Sequence, residues 1–338
     1  MQEKDVVSIE YFEEAERFAD LLNGYMFGGD QIVKPENVRE RNRILTKTGH
    51  QGLRLESKTV IRDVLCEVDF GFRVVLVSLE EQTDVHYAMP VRIMNGDAAV
   101  YHRQWKKKQK SHWRKKDLRG AEFLSGFSKK DKLLPTLTLV IYFGSKPWDG
   151  PKRLKDMMDL SNIPESLKNR IADYPMDLLE VRTFPHPEWF RTDIQQVFGF
   201  LKYAEDKERL AEYVEKHADT FSNLDEQAFD MISMMSKSGE LKAVKEKYQN
   251  TKGGNYNMCK AITEMIKDGE KRGEKRGEKR GEMKGITLGQ QKKLEELVCK
   301  KLKKKCTVSQ IADMLEEEES TIQAICDAVK ARAITRRT

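Results

Sequence analysis

The sequence contains no long hydrophobic run. No stretch of its 338 residues approaches the ~18 consecutive apolar residues of a membrane-spanning helix. Charged side chains also interrupt residues 1–30, which leaves no apolar segment of the kind a secretory signal peptide needs. We therefore expect a protein that uses no membrane partner.

Cysteine is scarce and the familiar metal and nucleotide motifs are missing. The five cysteines form no C-x-x-C pair and the six histidines form no H-E-x-x-H motif, which argues against zinc and dithiol redox sites. Neither G-x-x-x-x-G-K-[ST] nor G-x-G-x-x-G occurs, so the common phosphate-binding loops are not supported. We expect reduced thiols and a cytoplasmic location.

Charge is abundant and unevenly placed. Charged residues make up 34% of the chain and the net charge is +6, but the basic residues cluster in residues 101–119 and 267–284. Clustering matters more for nucleic-acid binding than the total charge does. The segment Trp105 to Lys116, WKKKQKSHWRKK, interleaves two tryptophans with basic side chains. It suits phosphate contacts with stacking on bases, although a solvated loop is the simpler interpretation.

Apolar periodicity predicts an α/β domain followed by helices. Steps of three and four residues favour a helix over 10–27, and two β-branched runs between Lys58 and Gln82 predict a hairpin-like pair of core strands. Further strands are expected over 137–143 and 176–181. Helical periodicity continues from Phe190 to about Met265. A further helix is expected over 87–105, ahead of the basic segment.

A tetrapeptide repeat and a short tail complete the chain. Gly269, Glu270, Lys271 and Arg272 form the first copy of a repeat. Because glycine costs about 0.8 to 1 kcal/mol relative to alanine in a helix, we expect a semi-flexible linker, with a DNA-binding arm or an oligomerising helix as alternatives. Residues 292–338 predict short helices. Their spacing resembles a helix-turn-helix, but an interaction module is favoured because four glutamates precede the second helix.

The strand pattern places acidic side chains together. Side chains alternate along a strand, so Glu80 and Gln82 share one face. On the preceding run Asp63 lies among apolar neighbours, where an unpaired carboxylate would be costly to bury. Two carboxylates on adjacent strands are the oxygen ligands that Mg²⁺ prefers. Solvent-facing acids at a sheet edge are the alternative.

Several longer segments resemble one family. D63-x16-E80-x-Q82 resembles the PD-(D/E)XK nuclease core. The segments ERFADLLNGYMFGG, LEEQTDVHYAMPVRIM, LVIYFGSKPWDGPKRLKDMM and MCKAITEMIKDG resemble the Rpn family of recombination-promoting nucleases and putative transposases. The resemblance covers roughly residues 10–285. The combination of E-x-Q-T, M-P-V-R and Y-F-G-x-K-P-W is specific, whereas each piece alone would be weak.

The resemblance implies a restriction-endonuclease-like mixed central sheet flanked by helices, followed by a helical appendage and a small helical C-terminal module. The domain bounds that we infer are 1–190 for the nuclease-like domain, 191–268 for the helical extension, 269–291 for the repeat linker and 292–338 for the C-terminal module. Asp63 and Glu80 would bind Mg²⁺, with Mn²⁺ as a substitute. Gln82 stands where the wider superfamily has lysine, so it could hydrogen-bond a water but supplies no charge.

Supporting positions are more open. Asp20 matches a place where the superfamily adds an acid, although an exposed helical aspartate is the simpler interpretation. Arg92 could clamp a phosphate or pair with Glu81 or Asp84. The DNA-contacting residues that we predict are Arg92, Lys106, Lys107, Lys108, Lys110, Arg114, Lys115 and Lys116.

The sequence therefore predicts a Mg²⁺-dependent DNA endonuclease in DNA recombination or mobile-element transfer. DNA is the expected partner, and a homo-oligomer is left open. The alternative is a DNA-binding or assembly protein whose nuclease fold has lost its activity. Transposition with strand transfer is allowed by the family resemblance, but no sequence feature supports it independently.

Overall fold

The structure of the protein is a computed structural model that describes residues 3–41, 44–51, 54–61, 63–71, 74–236, 238–250 and 254–335. The chain divides into two units, Met1–Thr263 and Glu264–Thr338. The first unit is a mixed α/β domain and the second is helical.

A five-stranded mixed sheet forms the core of the first unit. The strands in the described residues are β1 (Val38–Glu40), β2 (Ile44–Gln51), β3 (Arg54–Ile61), β4 (Val64–Asp69), β5 (Val74–Gln82), β6 (Thr136–Tyr142) and β7 (Asp177–Glu180). The order in the sheet is β1-β4-β5-β6-β7. β1, β4 and β5 pair antiparallel, whereas β5, β6 and β7 pair parallel. β2 and β3 form a separate antiparallel hairpin.

The predicted pair of core strands is confirmed, but its first run is divided. β4 and β5 are antiparallel neighbours as expected. β3 ends at Ile61 and β4 begins at Val64, so Asp63 lies in the bend before β4 rather than within a strand. The predicted strands over 137–143 and 176–181 correspond to β6 and β7.

Helices cover both faces of the sheet region and continue after it. In the first unit the described helices are α1 (Glu3–Glu13), α2 (Ala15–Phe27), α3 (Met89–Lys115), α4 (Gly120–Ser125), α5 (Glu165–Lys168), α6 (Ile194–Tyr203), α7 (Lys207–Lys216), α8 (Ala218–Phe221), α9 (Glu226–Met235) and α10 (Gly239–Val244). The helix predicted over 10–27 is two helices, because Glu14 adopts an extended backbone with ψ 123°.

α3 is longer than the sequence predicted. Its first half packs Met89 and Ile93 against Val140 and Tyr142 of β6, which fixes it on one face of the sheet. The helix then continues through the basic segment and ends at Lys116, whose φ of 53° closes the last turn onto the carbonyl of His112. The interpretation of this segment as a loop is wrong for residues up to 115.

A buried arginine ties the first helices to the later ones. Arg17 of α2 is 4% exposed. Its Nε and Nη2 donate to the two carboxylate oxygens of Asp193 at 2.9 and 2.8 Å, and it also contacts Asp225 and Gln227. Asp193 further accepts a hydrogen bond of 2.8 Å from the hydroxyl of Tyr11. Residues about 180 positions apart are thus joined by charge-assisted hydrogen bonds.

The second unit is built on a long helix. α11 (Met258–Lys303) begins in the first unit and passes the boundary between the two, and α12 (Val308–Leu315) and α13 (Glu319–Thr335) follow. Val298, Ile311, Ile322 and Cys326 form the buried core of these helices. Among the helices described, none is both long enough and apolar enough to cross a lipid bilayer.

The tetrapeptide repeat lies within α11, where the sequence predicted a semi-flexible linker. Its side chains over 269–291 are mostly exposed, so no packing holds this part of the helix. Turns on either side are packed, as the buried Met258, Ala261 and Val298 show. Extending a helix is easier than nucleating one, which explains how packed ends carry the helix through glycines.

Candidate active site

The register of β4 and β5 brings the two predicted acids together. Val64, the first residue of β4, pairs with Leu79, so Asp63, in the bend just before β4, lies beside the end of β5 that carries Glu80. The backbone amide of Glu81 donates to Oδ2 of Asp63 at 2.9 Å, which fixes this carboxylate beside the end of β5.

The two acids differ in burial. The side chain of Glu80 is 1% exposed, whereas that of Asp63 is 21% exposed. Glu80 pairs in the sheet with Val140 of β6, on the face that α3 covers. A carboxylate in such a position needs a cationic or hydrogen-bonding partner, because its desolvation is otherwise costly.

Arg92 supplies that partner. Its Nη2 lies 2.8 Å from Oε2 of Glu80 and 3.7 Å from Oδ1 of Asp63. The prediction that Arg92 pairs with Glu81 or Asp84 is therefore wrong, because the first turns of α3 place the guanidinium over the neighbouring acids. The Arg92 side chain is 38% exposed, so part of it also faces solvent.

Gln82 ends β5 beside the acids. Its Nε2 donates to the carbonyl oxygen of Glu81 at 2.7 Å, which turns the amide group along its own strand. In the sheet Gln82 pairs with Tyr142 and its side chain is half-buried. Gln82 thus lies on the same face of the sheet as Glu80, as strand alternation predicted.

A cleft of about 330 Å³ opens beside the end of β5. Asp63, Gln82 and Arg92 line it together with Asp84 and His86. The sequence predicted no site role for His86 and named Asp84 only as a possible partner of Arg92. A signal was available, since both follow within four positions of the end of β5, where a chain leaving a sheet edge remains beside it.

The structure places Asp20 in a structural role. Asp20 is 4% exposed, and its carboxylate accepts hydrogen bonds from the backbone amides of Arg191 and Thr192 at 2.9 and 2.8 Å. The hydroxyl of Thr192 donates a further bond of 2.7 Å. Among the described residues Asp20 is not one that lines the cleft, and its oxygens hold the chain before α6. The prediction of an exposed aspartate is also wrong.

The acid pair is compatible with a small metal site. Asp63, in the bend before β4, and Glu80, on β5, contact one guanidinium, so a positive charge is stable between them. The described residues contain no group of three or more His, Cys, Asp or Glu side chains arranged for a metal ion. Mg²⁺ commonly takes only one or two carboxylates and keeps several waters, so a pair of acids fits it.

The basic segment forms one wall of a groove. A trough of about 1080 Å³ lies between the second half of α3 and the segment that contains α4. We call this trough the basic groove. Of the predicted DNA-contacting residues, four line it, namely Lys106, Lys110, Arg114 and Lys116. Lys107 and Lys115 are exposed outside its lining. Lys108 instead pairs with Asp131 at 3.3 Å.

One comparison with known proteins gives a match. The model of the family described as "Putative transposase, YhgA-like" matches residues 58–231, slightly more than half of the chain. This range contains the acid pair, Arg92 and the basic groove. No curated protein and no solved structure matches the chain.

Proposed function

Because this chain belongs to the Rpn/YhgA family of putative transposases, we propose that it is a Mg²⁺-dependent endonuclease that hydrolyses phosphodiester bonds of DNA during recombination or mobile-element transfer. The observation that carries the proposal is that Asp63 and Glu80 contact the same guanidinium, that of Arg92, beside a cleft that Asp63 and Arg92 line. Both acids lie within the range that the family shares.

Strand directions support a restriction-endonuclease-like fold for this domain. The antiparallel pair β4 and β5 is followed by α3 and then by β6, which returns parallel to β5. β5 is the central strand of the sheet, and the crossover leaves its carboxyl end accessible. Loops at strand ends often carry functional residues. We propose that Asp63, Glu80 and Gln82 act at that end of β5.

Each residue of the site has a defined task in this proposal. Asp63 and Glu80 would hold the metal ion, which supplies a Lewis acid to offset the charge of the phosphate. Arg92 holds the two carboxylates in place through its contacts of 2.8 and 3.7 Å, and its exposed part can reach a phosphate oxygen. Gln82 would accept or donate a hydrogen bond to the attacking water but adds no charge.

The test uses the isosteric variants Asp63→Asn and Glu80→Gln. Plasmid nicking by the full chain with Mg²⁺ should fall by at least ~100-fold in each variant, because each loses a charged ligand. Asp69→Asn, an exposed acid at the far end of β4, is the matched control and should cut at the parental rate. Parental nicking by both variants, or no nicking by the parent with Mg²⁺ or Mn²⁺, would refute the proposal.

A second candidate is a DNA-binding or assembly protein without nuclease activity. Its support is the ion pair of 2.8 Å between Arg92 and Glu80, which already neutralises the buried acid without a metal. Calorimetric titration with Mg²⁺ separates the two candidates. Heat of binding that is lost in Asp63→Asn favours the nuclease, whereas salt-dependent DNA binding without metal binding favours the second candidate.

A further inference from the structure

The basic groove is a large trough that is open to solvent. Its volume of about 1080 Å³ exceeds the range of about 300 to 1,000 Å³ that is usual for small ligands. One wall is the second half of α3 and the other is formed by Leu118, Arg119, Phe123 and Gly126. A chain-like ligand can therefore lie along it.

The charge of the groove is of one sign. Its lining includes five arginines and lysines besides Lys116, and no acid is found among the residues that line it in the described structure. These basic residues are Arg103, Lys106, Lys110, Arg114 and Arg119. Two acids next to lining residues in the sequence already have hydrogen-bond partners. Asp117 contacts His112 at 2.8 Å, and Glu122 accepts a hydrogen bond of 2.8 Å from the backbone amide of Lys129. A polyanion is the complementary occupant.

Two aromatic rings stand open to solvent in this basic setting. Trp113 is 74% exposed and Phe123 is 64% exposed, and they come from opposite walls of the groove. Trp105 has a different role, because its indole Nε1 donates to the carbonyl of Ser125 at 3.1 Å and secures α4. Exposed rings among phosphate-binding side chains are the arrangement by which proteins stack on unpaired bases.

The groove is held in shape before any ligand binds. His112 connects α3 to Asp117 and Asp131 at 2.8 Å each. Gly126 adopts a φ of 63°, and a Cβ at this position would run into the side chain of Gln109 on α3. The turn that ends α4 therefore packs directly against the Gln109 side chain of α3. A preformed groove loses less entropy on binding than a mobile one.

From these observations we propose that the basic groove binds an unpaired DNA strand, with Trp113 and Phe123 stacked on its bases and the lysines and arginines on its phosphates. The inference rests on the proposed nuclease function and specifies its substrate as DNA with a single-stranded region. A duplex keeps its base faces inside the stack, so it offers these rings no partner.

Binding to two fluorescent probes tests the proposal. We would measure the anisotropy of labelled oligothymidine and of a hairpin duplex of equal nucleotide number, with the full chain in EDTA so that nothing is cut. The single strand should bind at least ~10-fold more tightly. Trp113→Ala and Phe123→Ala should each raise its Kd by roughly 5-fold to 150-fold, the range for one lost base stack, and change the Kd of the duplex less than about twofold.

Leu124→Ala is the matched control. Leu124 is 84% exposed and adjacent to Phe123, but it does not line the groove, so its removal should leave both affinities unchanged. Lys110→Gln should reduce the slope of log Kd against log salt by about 0.7, because one phosphate contact is lost. Trp113→Ala should leave that slope unchanged.

Three results would overturn the inference. They are equal affinity for the duplex and the single strand, aromatic variants that behave like Leu124→Ala, and an effect of Lys110→Gln alone, which would indicate phosphate contacts without stacking. Nicking with Mg²⁺ is measured separately. A chain that binds single strands through Trp113 but cuts nothing would refute the nuclease proposal and leave this one standing.

Discussion

At the scale of single residues, His112 links two segments beside the basic groove. Its Nδ1 lies 2.8 Å from Asp117 and its Nε2 lies 2.8 Å from Asp131. The hydrogen bond to Asp117, followed by that to Asp131, raises the pKa of His112 above its ordinary value of 6.5. Only a protonated imidazole can donate from both nitrogens. Lys108 also contacts Asp131. Asp117 and Asp131 are the two groups that raise the pKa of His112.

This geometry predicts a pH-dependent contribution to stability. Since the folded pKa is raised, the contribution of His112 is present in full below about pH 6.5 and is lost as the pH rises through the folded value. The difference in free energy of unfolding between the parent and His112→Gln should therefore shrink with rising pH. Urea unfolding between about pH 6 and 9 measures it.

Asp117→Asn provides the control for this prediction. It removes the larger cause of the pKa shift, so the loss of stability should move to lower pH than in the parent. If the parent and His112→Gln showed the same dependence on pH throughout, the two hydrogen bonds would carry no linkage and the prediction would be wrong.

How far single residues could be predicted depended on the range of the interaction. The shared face of Glu80 and Gln82 followed from alternation along β5, which is a local rule, whereas the place of Asp63 beside them depends on the pairing of β4 with β5. The partners of Arg92 could not be predicted, because they depend on how α3 crosses the sheet. Asp20 was misjudged for the same reason, since its partners lie 171 and 172 positions away.

At the scale of elements, the repeat within α11 is the helical segment with least support. Gly273, Gly277 and Gly281 each have open space where a Cβ would stand. A methyl group can therefore be added without a clash. Each glycine instead weakens the helix, because it loses more backbone entropy than alanine.

Replacement of these three glycines by alanine should stabilise the helix. The expected gain is about 0.8 to 1 kcal/mol for each site, or ~2 to 3 kcal/mol for the triple variant. Amide hydrogen exchange over residues 269–291 of the full chain measures this gain. The amides of the triple variant should exchange more slowly than those of the parent. Unchanged exchange would mean that the glycines do not limit the helix.

Gly24→Ala is the opposite control. Gly24 also lies in a helix, but its added Cβ would meet the ring of Phe190. This variant should lower the free energy of unfolding, since overpacking a core typically costs about 1 to 3 kcal/mol. If alanine changed stability in the same direction at Gly24 and in the repeat, the space around each glycine would not explain its effect.

Elements were predicted well where periodicity was strong and short-ranged. β4, β5, β6 and the helices after Phe190 follow from apolar patterning. The extension of α3 through the basic segment and of α11 through the repeat did not, because both segments lack an apolar face. Their helical form depends on packed turns further along the same helix.

At the scale of the whole molecule, the helices ahead of the family match belong to the same folded unit. α1 and α2 precede residue 58, where the family match begins, but Arg17 binds Asp193 within it. Burial alone would lower the pKa of Arg17, yet the hydrogen bonds that its guanidinium donates to Asp193 and the charge of the nearby Asp225 raise this pKa above its ordinary value. The guanidinium therefore stays charged inside the fold.

Arg17→Met should consequently destabilise the first unit by about 3 to 5 kcal/mol, because the substitution leaves a partly buried carboxylate without its cation. Urea unfolding followed by circular dichroism measures the change. Arg209→Met removes an exposed arginine paired with Asp206 on one helix, and it should change stability by less than ~0.5 kcal/mol. Similar effects of both variants would contradict the role given to Arg17.

The continuity of α3 has a consequence for where DNA would be cut. Arg92 lies near its beginning and Trp113 near its end, and 21 residues of helix separate them by roughly 32 Å. A rigid helix that holds one part of a strand and presents another to the cleft acts as a ruler. The cut would then fall at a fixed length from the bound region, whatever the base sequence between them.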